Sequence, residues 1–92
     1  MINLEGNRLV LSGSLVMSTV PALYEAGLQH LSGADMEVDL AKVEVVDSAA
    51  LSMLLGWLRA AQAKNRSLRV TNPPANLLSL ANLYGVAEML PN

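Results

Sequence analysis

The 92 residues contain no cysteine. Disulfides, thiolate nucleophiles and cysteine-based metal sites are excluded together. Histidine occurs once, at His30, one residue before an apolar leucine at helical spacing. A partly exposed helix position explains it, and no metal site is expected. Charge is scarce too. Charged residues make up 15% of the chain, against a usual share of about 25%. The hydrophobic share is 52%, which excludes a disordered chain. No apolar run is long enough to cross a membrane. Ser52, Arg59, Asn76 or Ser79 interrupt each one well before the roughly 20 residues a span needs. The opening Met1-Ile2-Asn3-Leu4-Glu5 lacks a basic segment and a long apolar segment, so no secretory signal is expected. The glycines never take phosphate-loop spacing. Together these features predict one soluble cytosolic domain over residues 1–92 with no cofactor.

A chain this short cannot hide every apolar residue in one core. With so few charges, part of the surface must be apolar or built of small residues. Such a surface marks a partner site.

The charges are unevenly placed. In residues 1–58, Arg8 and Lys42 face Glu5, Glu25, Asp35, Glu37, Asp39, Glu44 and Asp47. Residues 59–69 then hold Arg59, Lys64, Arg66 and Arg69. Cations at a helix C-terminus suit its dipole. The chain is acidic, with a net charge of −2, and has no basic stripe elsewhere. Nucleic acid is therefore not an expected partner.

Hydrophobic periodicity supplies the element order. Residues 2–5 alternate and residues 8–12 form a second extended run, stopped by Gly13. Gly6-Asn7 between them reads as a hairpin turn. Ser18 or Thr19 before Val20-Pro21 starts a helix. Its stripe of Val20, Leu23, Tyr24, Gly27, Leu28 and Leu31 ends near Gly33. Residues 36–40 alternate as a strand. A short loop then leads to a long helix over residues 48–63, stopped by Asn65-Arg66. Residues 67–71 read as a strand and Asn72-Pro73-Pro74 as a turn. A third helix covers residues 75–84, stopped by Gly85. Residues 86–90 are a last half-turn or an edge strand. This is a ββαβαβα order, an α/β fold with parallel pairing across its crossovers and helices packed on the sheet.

No constellation of catalytic residues emerges. Glu37 and Asp39 flank Val38 and read as solvated or edge positions. Val43-Glu44-Val45-Val46-Asp47-Ser48 is more informative. It delivers Asp47 and Ser48 to a helix N-terminus, where either side chain can cap backbone N–H groups. Such a terminus also favours an anion.

Val38-Asp39-Leu40, followed by Asp47-Ser48-Ala49-Ala50-Leu51, resembles the signature of STAS domains. That family includes anti-sigma-factor antagonists and sulfate-transporter tails. The resemblance spans nearly the whole chain and implies a mixed sheet of about four strands with helices mainly on one face. Within the family, Leu80-Ala81-Asn82-Leu83-Tyr84-Gly85 and Leu90-Pro91 are similar in character to the small cytosolic STAS subunit of Mla phospholipid-transport ABC complexes. That likeness implies a non-enzymatic subunit that binds and regulates the transporter ATPase, and so supports outer-membrane lipid asymmetry. It would be cytoplasmic, held at the inner membrane through its partner without inserting. The alternative is an anti-sigma-factor antagonist switched by phosphorylation of Ser48. Ala49-Ala50 stands where many relatives carry glycine, and a β-carbon obstructs close backbone approach there.

On a wheel of 3.6 residues per turn, Leu51, Leu54, Leu55 and Leu58 are expected to face the sheet. The opposite side then shows Ala49, Ser52, Met53, Gly56, Ala60 and Ala63, with Trp57 at one flank and Arg59 at the other edge. Small residues beside large anchors suit a docked protein. The expected partner-binding set is therefore Asp47, Ser48, Ala49, Ser52, Met53, Gly56, Trp57, Arg59 and Ala60.

Overall fold

The computed structural model describes residues 1–31 and 35–86. The chain runs β1 (Ile2–Glu5), β2 (Arg8–Leu15), α1 (Val20–Leu28), β3 (Met36–Val46), α2 (Ser48–Ala63), β4 (Leu68–Thr71) and α3 (Ala75–Leu83). This is the order read from the sequence. The four strands form one sheet in the order β1-β2-β3-β4. β1 and β2 pair antiparallel, and the two later pairings are parallel.

Local chemistry sets the boundaries. Gly6 adopts φ 61° at the first central position of a two-residue hairpin, a conformation that glycine enters freely. Pro21 lies in the first turn of α1, where its missing N–H costs nothing. α2 is stopped just beyond its end by Asn65, whose φ is 56°. The Arg66 N–H then closes back on the Ala61 carbonyl at 2.8 Å. α3 ends the same way at Gly85, with the Val86 N–H on the Ala81 carbonyl at 2.8 Å. Both are left-handed helix stops.

Three elements differ in extent from expectation. α1 ends at Leu28 rather than near Gly33, and Gly33 itself lies outside the described residues. β2 passes through Gly13, which takes φ 80° within the strand, and continues to Leu15. β3 continues past Leu40 to Val46, absorbing the segment expected to be a loop. The two extensions have one cause. Ser12, Gly13, Ser14 and Leu15 pair with Lys42, Val43, Val45 and Val46 across two register shifts. Such bulges leave extra residues on one strand and break the alternation that periodicity detects. The expected tail over residues 86–90 falls outside the described residues beyond Val86.

Pairing in register gives the sheet two unlike faces. One row runs Leu4, Leu9, Val38, Val70. Leu9, Val38 and Val70 are wholly buried there, in one core with Leu23, Leu54, Trp57 and Leu77 of the helices. The neighbouring row runs Glu5, Arg8, Glu37, Arg69 and alternates in sign across all four strands. Arg69 Nη2 and Glu37 Oε1 lie 3.3 Å apart in it. Opposite charges placed directly across strands support pairing. The four cations of residues 59–69 are spread over α2, its C-terminal turn and β4.

Candidate partner-docking site

β3 carries the chain to Val46 and stops where Asp47 turns into α2. The Asp47 N–H donates to the Leu15 carbonyl at 3.2 Å, fixing the turn to β2. Its carboxylate then serves two elements. Oδ1 accepts from the Ala49 N–H at 2.8 Å, a helix cap that satisfies one free donor. Oδ2 accepts from the Met17 N–H at 3.0 Å in the loop before α1. Asp47 is thus the cap, with extended backbone. Ser48 is the first helical residue, and its side chain is exposed.

The outer face of α2 is narrower than expected. Ser48, Ser52, Arg59, Gln62 and Ala63 are exposed, while Ala49, Leu55, Gly56 and Ala60 are half-buried. Met53 is 2% exposed and Trp57 is fully buried, so neither forms a surface anchor. The buried arc centres on Ala50, Leu54, Trp57 and Ala61 and carries Leu51 and Leu58 at its edge. Leu55 stands outside it. α1 lies alongside α2 and covers its Gly56–Trp57 flank, which a wheel drawn against the sheet alone leaves bare.

Two reciprocal contacts make that flank. The indole of Trp57 lies over Gly27 of α1, where any Cβ would overlap the ring. The ring of Tyr24 lies over Gly56 of α2, where a Cβ would stand 2.8 Å from Tyr24 Cε1. Gly56 is therefore spent on helix packing inside the domain. Of the nine residues expected to bind a partner, Asp47, Ser48, Ala49, Ser52, Gly56, Arg59 and Ala60 keep some surface on one strip, Gly56 partly under the Tyr24 ring. Arg59 is the one charge on the exposed face of α2.

Sequence periodicity did not reveal what flanks this strip. A groove of about 490 Å³ opens between the start of α2 and α3, lined by Asp47, Ser48, Asn76, Leu80, Leu83 and Tyr84 among others. Leu83 is 76% exposed and Tyr84 58%. The signal available in the sequence was the apolar excess itself.

On the sheet face away from the helices, the side chains of Asp39, Glu37 and Thr71 are hydrogen-bonded. Asp39 is buried, not solvated. Its Oδ1 accepts from the Asn72 amide and from the Ala41 N–H, each at 3.0 Å. Arg8 Nη1 approaches Oδ2 at 3.3 Å. The Asn72 bond leads in holding this carboxyl below its ordinary value, with the Ala41 N–H and Arg8 adding to it against the opposing effect of burial. Glu37 accepts from the Thr71 hydroxyl at 2.9 Å. His30 follows α1 and is half-buried. Among the described residues no helix is long and apolar enough to cross a membrane.

The fold has counterparts among known proteins. The MlaB binding protein of the intermembrane phospholipid transport system of Haemophilus influenzae is 32% identical over 89 residues, 91% of this chain and 85% of that protein. A chain in the ATP-bound MlaFEDB complex of Acinetobacter superposes with TM-score 0.83 at 28% identity, covering 98% of this chain and 96% of that one. Unphosphorylated SpoIIAA, an anti-sigma factor antagonist known from Bacillus, superposes with TM-score 0.78 at 14% identity, over 98% and 84% of the two chains. It shares the fold. The family described as "Mlab, STAS domain" matches residues 2–91, and the chain belongs to that family.

Proposed function

We propose that this chain is a non-enzymatic accessory subunit of a phospholipid-transport ABC complex. In that role it binds and regulates the ATP-hydrolysing subunit from the cytoplasmic side of the inner membrane, and so supports outer-membrane lipid asymmetry. The observation that carries the reading is the near end-to-end likeness to a chain of the MlaFEDB complex, at 28% identity. The strip from Ser48 to Ala63 supports it physically. A solvent-facing helix surface ordinarily carries several charges, whereas this one carries Arg59. Small neutral side chains lose little on desolvation and admit a second backbone closely.

The test is co-purification with the ATP-hydrolysing subunit of the phospholipid-transport complex from the same cells, using wild type and Ser52→Arg. Ser52 is exposed at the middle of the strip, so the variant should melt as wild type does. A buried unpaired guanidinium should abolish the complex. Normal retention of Ser52→Arg would move the interface elsewhere. Absence of any wild-type complex would end the reading.

A second reading draws on the SpoIIAA-like fold and on the exposure of Ser48 at the start of a sixteen-residue helix. In it the chain is an anti-sigma factor antagonist switched by phosphate on Ser48. Phosphoserine at position 48 in protein from its native cells would favour it.

A further inference from the structure

The loop between β2 and α1 presents Met17, 76% exposed, beside the Ser48 turn. Its backbone is pinned. The Met17 N–H is held by Asp47 Oδ2 at 3.0 Å. The Val16 N–H donates to Thr19 Oγ1 at 3.0 Å, and the Thr19 hydroxyl donates to the Ser14 carbonyl at 2.8 Å. The Thr19 and Val20 N–H groups both close on the Val16 carbonyl at 2.9 Å. These polar groups are spent on one another, and the loop offers outward a thioether on a fixed backbone beside the exposed Ser18. It joins the neutral strip of α2 through a single carboxylate whose two oxygens are both taken by backbone donors.

We infer that Met17 is a docking residue for the same ATP-hydrolysing subunit and that Asp47 is the positioning residue that sets it beside Ser48. This inference rests on the proposed function. The occupant presents an uncharged, apolar surface here, because Met17 and the α2 strip offer it no free charge but Arg59. A thioether adapts its shape to such a surface and loses little on being dried. The ordered loop means that little conformational freedom remains to be lost on contact. Met17 thus adds an apolar side chain beside the Asp47-Ser48 turn, and the same turn lines the groove that holds Leu83 and Tyr84.

The experiment measures binding of the purified ATP-hydrolysing subunit to wild type, Met17→Leu, Met17→Glu, Asp47→Asn and Met17→Glu/Asp47→Asn. Ser52→Arg is the control, and each variant's melting temperature is recorded. Met17→Glu should lose roughly tenfold or more in affinity while melting as wild type does, because a carboxylate is buried unpaired. Met17→Leu should bind nearly as wild type does. Asp47→Asn keeps an acceptor for only one of its two backbone donors, so it should weaken binding. Its effect and that of Met17→Glu should fall short of additive, since both act through one loop. Wild-type affinity in Met17→Glu, with Ser52→Arg inactive, overturns this inference and leaves the proposed function standing. A wild-type chain that does not bind the subunit at all overturns both.

Discussion

The Trp57 indole N–H donates to the Tyr24 carbonyl at 3.0 Å, tying α2 to α1 at the place where each helix offers the other a glycine. Indole and phenol rings fill the spaces above Gly27 and Gly56. The pair decides which side of α2 is interior and so which side remains for a partner.

Gly27→Ala should destabilise the fold by about 1–3 kcal/mol, the usual cost of forcing a methyl group into a packed contact. For a domain of this size each kcal/mol lowers the melting temperature by about 4–8 °C, which a thermal melt resolves. Gly56→Ala should cost less, because its Cβ would meet the end of the Tyr24 side chain, which can swing. An unchanged melt for Gly27→Ala would show that α1 does not sit on Trp57.

Asp39 predicts an acid limb to stability. Its carboxyl is held below its ordinary value near 3.8. The folded state then binds its proton less readily than the unfolded state does. The stabilisation is complete above the unfolded value and is lost as pH falls through the lower folded one. Asp39→Asn should flatten that part of the curve and destabilise the neutral protein by about 1–3 kcal/mol through its lost partners. Urea titrations between pH 2 and 7, ranges chosen to bracket ordinary carboxylates, provide the measurement.

Ser48 should separate folding from docking. Ser48→Thr should be nearly neutral in both. Ser48→Ala should leave the melt unchanged and weaken partner binding by about 1 kcal/mol, one neutral hydrogen bond. Ser48→Glu places an acid in the first helical turn, which favours the helix by about 0.3–1 kcal/mol. It should nonetheless impair binding, by adding charge to a dry contact. A stabilised variant that binds less well would be the signature of an interface residue.

Asp47→Ala removes the cap of α2 and should cost about 0.5–2 kcal/mol. It also frees the Met17 N–H. Hydrogen exchange should therefore quicken at Met17 and Ala49 together. Faster exchange at Ala49 alone would show that the loop is held by other means.

Much of this was legible from local signals. Gly6-Asn7, Pro21, Asn65 and Gly85 each punctuate the chain where the backbone turns. The Asp47-Ser48 turn stood out because a strand and a helix meet there. What stayed hidden depends on distant partners. The far half of β3 exists because β2 continues beside it, with Leu40 and Ala41 set against the single residue Leu11. The burial of Trp57 depends on α1, and helical period alone says nothing of what lies to either side of a helix. The proposed docking surface draws Met17, Ser48 and Leu83 from segments about thirty residues apart, so no window along the chain contains it.

The sheet order β1-β2-β3-β4 matches the order of synthesis. Each strand pairs with the one made just before it, so a chain emerging from the ribosome meets its next partner already in place. No late strand has to be inserted between two earlier ones. Loop closures stay within one connection, which keeps the entropic barrier to each pairing low. A nascent chain halted after α2 would hold three paired strands and the Ser48 turn, but would leave the β3 edge at Met36, Glu37, Val38 and Asp39 bare where β4 belongs. Such stalled chains are where aggregation by strand addition would begin.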